Sequence, residues 1–130
     1  MPFEWQDYLS LAQELSQRQS DDPLYEAALR SAISRAYYAA FCSARDFLRN
    51  TDTTIPLTDE SHKDVWETYR QKGKNYNAIF VNGSRLKNRR RAADYDYKLR
   101  DLEKEIALAF ADAKNVFYWL SKADPPTSPK

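Results

Sequence analysis

The chain is poor in the residues that build disulfides, metal sites and tight turns. It has one cysteine, one histidine and two glycines among 130 residues. A lone Cys42 excludes an intrachain disulfide. With only His62 beside it, a zinc site within one chain is not expected, nor is any other metal or cofactor. Gly73 and Gly83 are too few for a sheet protein rich in tight turns. No apolar run approaches the ~20 residues that cross a bilayer, and the first residues lack a secretory pattern. The expectation is a cytoplasmic protein with no membrane partner. Neither sign of charge dominates either: Lys and Arg number 20, Asp and Glu 19, for a net charge of +1. Any affinity for a polyanion must therefore come from local clustering.

What the chain has in quantity is aromatic residues and helical periodicity. Nine tyrosines carry both apolar area and a hydroxyl that needs a partner when buried, which suits polar core layers and interfaces. Apolar residues recur at three-to-four spacing over residues 3–18, from about Pro23 to Asn50, over 59–71, from 76 to 91, and over 100–121. Asp22 and Pro23 predict a helix start, as N-cap and first helical residue. Thr51–Leu57 reads as a loop, Gly73 as a stop, and Ala92–Lys98 as a turn or distorted helix end. No segment alternates like a strand. The fold class expected is all-α, an antiparallel bundle of four to five helices. Residues 1–122 form its single domain, and 123–130 are a disordered tail, since Asp124-Pro-Pro-Thr-Ser-Pro-Lys130 cannot continue a helix. Trp5, Trp66, Phe117 and Trp119 are assigned to core or interface.

Two segments stand out. Five of the seven residues from Arg85 to Arg91 are basic (Arg85, Lys87, Arg89, Arg90, Arg91), and Asp94-Tyr-Asp-Tyr97 follows. Arginine forks match phosphate oxygens, and a tyrosine beside them can stack on an unpaired base. The competing reading is a solvated helix end, with cations complementing the helix dipole and the aspartates neutralising them. The second segment is Arg30-Ser-Ala-Ile-Ser-Arg-Ala-Tyr-Tyr-Ala-Ala-Phe41, where Arg35, Tyr38, Cys42 and Arg45 share helical spacing. Arg35 and Tyr38 read as a half-buried polar stripe, supporting a site or an interface, with Asp94 or Asp96 as the available partner for Arg35.

These residues, with Ser61-His-Lys63, Val65-Trp66 and Leu86…Arg90 followed by Ala93-Asp-Tyr-Asp96, resemble the HEPN family, in particular its small standalone prokaryotic, toxin-like members. The resemblance covers about residues 23–118. It implies a helical bundle that forms a homodimer and acts on RNA or nucleotide. Many family members are metal-independent ribonucleases that use an Arg followed four to six residues later by a His. Many are toxins of toxin–antitoxin or defence systems, neutralised by a minimal nucleotidyltransferase that adds AMP to a tyrosine. Carried onto this chain, the resemblance implies a cleft holding Arg90, Asp94 and Tyr95 as the catalytic group. Arg85, Lys87, Arg89 and Arg91 would hold phosphate, and Tyr95 or Tyr97 would be the AMP acceptor. Counting from Arg90, Tyr95 stands where the family has its histidine. Unperturbed histidine titrates at about 6.5 and tyrosine at about 10, so Tyr95 would position or protonate rather than shuttle a proton at neutral pH. His62 reads as a residue near a helix start. The alternative function is a non-catalytic dimeric module that binds RNA or nucleotide, or docks a partner.

Overall fold

The computed structural model describes residues 3–51 and 62–123, with backbone alone for 62–64. The predicted tail beyond Ala123, the body of the predicted loop after Thr51 and the start expected at residue 59 lie outside them. Among the described residues there are five α-helices and no strand: α1 (Gln6–Leu15), α2 (Tyr25–Thr51), α3 (His62–Gln71), α4 (Asn77–Tyr95) and α5 (Leu102–Lys122). A single 3-10 turn, Lys74–Tyr76, precedes α4. This is the all-α bundle that the periodicity predicts.

Its axis is α2, 27 residues long, or about 40 Å. The other four helices pack around it. Entry is set by Asp22, whose carboxylate accepts from the Leu24 backbone N–H at 2.8 Å and whose carbonyl accepts from that of Tyr25 at 2.9 Å. Seven buried residues of α2 are alanines (28, 32, 36, 39, 40 and 44) or the small Ser34, so neighbouring helices lie close. Trp5 donates its indole N–H to Asp46 at 2.7 Å, pinning α1 to the far half of α2.

The core is aromatic. Trp66, Tyr37 and Tyr69 are essentially inaccessible. Trp66 donates to the Tyr37 hydroxyl at 3.1 Å, and Tyr69 donates to the Ala44 carbonyl at 2.6 Å. Gly83 lies inside α4 where helix propensity disfavours it. The reason is Trp66: a Cβ at position 83 would sit 2.3 Å from its ring carbons. Gly73, at φ +102, ends α3 in a conformation that suits glycine.

One boundary differs from expectation in a way that matters. Helix α4 continues through Ala92 and Ala93 to Tyr95, so Arg90, Asp94 and Tyr95 are all helical rather than split between a helix and a turn. Likewise α2 includes Thr51.

Candidate functional site: the carboxyl end of α4

On a helix, consecutive residues diverge by about 100°. The basic run is therefore no single cluster. Arg89 points to α5, Arg90 to α2 and Arg91 to solvent.

Arg89 donates to Glu105 at 2.7 Å and to Asp112 at 3.2 Å. Asp112 is buried and takes a second, longer ion pair from Arg85 at 3.5 Å. Arg85 also donates to Asn82, which accepts from Asn115 as well. Burial works against the Arg89 charge, but the hydrogen bonds to Glu105 and Asp112 outweigh it and raise its pKa. Two of the expected phosphate ligands thus hold α4 to α5. Lys87, another, is half-buried.

Arg90 faces the second singled-out segment. Its guanidinium lies over the rings of Tyr37 and Tyr38, 5.3 and 5.7 Å from their centroids. It pairs with Asp94, one turn on, at 3.4 Å. Ser34 donates to the same Asp94 oxygen, also at 3.4 Å. The side chain is only 13% exposed, and its Nε is buried without a hydrogen-bond partner. Arg35 continues the stack, lying 5.2 Å from the Tyr38 centroid and 4.8 Å from that of Tyr8 on α1. Cation–π contact, not a carboxylate, is what holds Arg35. The expected tie from Arg35 to Asp94 or Asp96 does not form.

That tie is made by Arg30 instead, which the sequence reading missed as a site residue. It donates to the carbonyls of Ala93 (2.9 Å), Asp96 (2.6 Å) and Tyr97 (3.1 Å) and pairs with Glu26 at 2.9 Å. A cation on the free carbonyls satisfies the helix end and complements its dipole. The signal was present, since Arg30, Ser34 and Tyr37 are spaced four and three apart and so share one face. Ser34 and Tyr37, too, were missed as contacts of Asp94 and Arg90.

The structure brings Arg90 and Asp94 together but sends Tyr95 elsewhere. Five residues on from Arg90, Tyr95 is turned about 140° around the helix. Tyr95 is 77% exposed and Tyr97 90% exposed. The expected single cleft of Arg90, Asp94 and Tyr95 is therefore replaced by two surfaces. One is the Arg90–Asp94 pair packed against α2. The other is an open groove of about 390 Å³ lined by Asn88, Arg91, Ala92, Tyr95 and Asp96. A second groove follows along the α4–α5 connection, where Tyr97, Lys98 and Arg100 face Glu26. Arg91, Lys98 and Arg100 form no ion pair with the described residues. His62 opens α3, but its side chain is not among those described.

Cys42 is buried, and burial pushes its thiol pKa up, which keeps it protonated and unreactive. No group of three or more His, Cys, Asp or Glu suited to a metal ion occurs among the described residues, and no helix among them is long and apolar enough to cross a membrane. Set against models of protein families, curated proteins and solved structures, the chain matches none.

Proposed function

We propose that this chain is a HEPN-like helical domain that binds single-stranded RNA, without cutting it, at the carboxyl end of α4 and the connection that follows. The observation that carries this reading is the pairing of two solvent-facing phenols, Tyr95 and Tyr97, with the unpaired cations Arg91, Lys98 and Arg100. Base–aromatic stacking contributes ~1–3 kcal/mol per base, and each neutralised phosphate adds salt-dependent attraction. Apolar side chains exposed side by side, unlike ones scattered singly, mark interaction surfaces. Exposure of both phenols also fits the AMP-acceptor reading. A nucleotidyltransferase partner could reach them, and the added anionic bulk beside Arg91 would weaken RNA binding.

The test is fluorescence anisotropy with a labelled single-stranded RNA. Tyr95→Ala and Arg91→Ala should each weaken binding ~5-fold or more, as expected for loss of ~1 kcal/mol, and binding should fall steeply with salt. Unchanged affinity in both variants would sink the proposal. A second reading, RNA cleavage, rests on the Arg90 Nε left without a hydrogen-bond partner; it requires Arg90 to swing out from Tyr37 and Tyr38 before that buried donor meets a scissile phosphate. Incubating RNA with the protein in EDTA separates the two. Intact RNA supports the binding module, whereas cleavage that disappears in Arg90→Ala supports the enzyme.

A further inference from the structure

A cleft of about 520 Å³ opens where the residues leading into α1, the far half of α2 and the last turns of α5 meet. That is within the ~300–1,000 Å³ range of ligand pockets. Phe3, Trp5, Phe47 and Phe117 give it four aromatic walls, and Glu4 and Asp46 are its ionisable groups. No lysine or arginine of the described residues lines it. Phe3 packs against Trp5 and Tyr8 in edge contacts, with centroids 5.1 and 5.2 Å away, yet stays 54% exposed. Trp5 is fixed by its indole N–H, which Asp46 accepts.

The aromatic residues of this corner already collect cations. Arg35 lies over Tyr8, and Arg45 lies 5.6 Å from the Trp5 centroid. Arg45 also pairs with Asp46 at 3.2 Å and Arg49 does so at 3.9 Å, which neutralises that carboxylate from outside the cleft. Arg45 stands two residues from both Ser43 and Phe47, which line the cleft, and so lies about 160° round α2 from each. Phe3, Phe47 and Phe117 have no cation of the described residues over them, and Glu4 forms no ion pair with those residues. Three such rings beside an unpaired carboxylate attract a cation and disfavour an anion. A metal ion would need more oxygen ligands than Glu4 and an engaged Asp46 supply. A purely apolar ligand would strip water from Glu4 without compensation. An alkylammonium meets both demands, its methyl or methylene groups against the rings and its charge toward Glu4.

We infer that this cleft binds an alkylammonium group, with Phe3, Phe47 and Phe117 around the charged head, Glu4 as counter-ion and Trp5 as the wall that Asp46 holds in place. The ammonium has two sources: a free quaternary amine of choline size, or a lysine side chain of a partner protein. The cleft shares no residue with the carboxyl end of α4, so the inference does not depend on what that end binds.

Choline and Nα-acetyl-lysine methylamide, each titrated into isotope-labelled protein, test the inference through the Trp5 indole N–H resonance, assigned by its loss in Trp5→Phe. Dimethylbutanol, in which carbon replaces the choline nitrogen, isolates the contribution of charge. The inference predicts saturable movement with an ammonium, about tenfold weaker with the neutral isostere, and weakened about fivefold in Glu4→Gln and about tenfold in Phe3→Ala. Tighter binding of choline assigns the site to a free quaternary amine, and tighter binding of the lysine amide assigns it to a protein side chain. A resonance that neither ammonium moves, equal affinity for the isostere, or affinity unchanged in both Glu4→Gln and Phe3→Ala overturns the inference. Phe3 and Glu4 are exposed ahead of α1, so both variants keep the bundle intact.

Discussion

At the scale of single residues, each side chain of the basic run has its own task. Arg89 and Asp112 form the most enclosed ion pair of the site, with side chains 18% and 7% exposed. Removing Asp112 leaves Arg89 with Glu105 alone and the half-exposed Arg85 with Asn82. Asp112→Ala should therefore cost about 1–3 kcal/mol in urea unfolding, the range for hydrogen bonds to charged groups. Arg91→Ala should leave stability within about 0.5 kcal/mol, the usual range for surface changes. Gly83 is the sharpest packing constraint. Alanine there would gain up to ~1 kcal/mol of helix propensity, but its Cβ would lie 2.3 Å from the Trp66 ring. A buried indole wedged between α2 and α4 cannot swing aside, so Gly83→Ala should be net destabilising by about 1–3 kcal/mol. A Tm equal to or above that of the wild type would show that Trp66 does not press on α4.

At the scale of elements, the carboxyl end of α4 is held from a distance by Arg30 of α2. Arg30→Ala should fray residues 92–97, seen as faster amide hydrogen exchange there while the centre of α2 keeps its protection. Uniformly faster exchange would mean that Arg30 supports the whole bundle instead. This contact also explains what could and could not be read from the sequence. Helices whose ends are marked locally were legible, the Gly73 stop and, to within two residues, the Asp22-Pro23 start, since α2 begins at Tyr25. The end of α4 was not, because Asp94-Tyr-Asp-Tyr97 resembles a turn by composition, while the group that satisfies the helix carbonyls lies more than sixty residues earlier in the chain. The Arg90–Asp94 pair fits the expectation that the aspartates neutralise the arginines, but its four-residue helical spacing emerges only once α4 extends past Ala92. The same helical geometry, once α4 was seen to continue, separates Tyr95 from them. Asp112 and Glu105, which bind Arg89, were hidden for a similar reason: nothing local marks which face of α5 meets α4.

At the scale of the whole molecule, the bundle is knit by an aromatic core whose hydroxyls stay protonated. Burial pushes the phenols of Tyr37 and Tyr69 well above their ordinary value of 10.0. The unfolded chain loses those protons above about pH 10, while the folded chain keeps them. Their contribution is thus complete below pH 10 and declines as pH rises further, by up to ~1.4 kcal/mol per pH unit for each phenol. Urea unfolding across pH 8 to 11 should show a flat stretch and then a fall, with a shallower fall in Tyr69→Phe. An equal fall in that variant would assign the alkaline loss to other groups.

The central claim concerns the exterior of the same bundle: the last turn of α4 and the connection to α5 are an RNA-binding surface. Backbone amide shifts recorded while a short single-stranded RNA is titrated into labelled protein test it most directly. The account predicts the largest changes between residues 88 and 100, with the Trp66–Tyr69 core unmoved. RNA that leaves those amides in place at saturating concentration, or that moves only residues of α1 and α3, would contradict it.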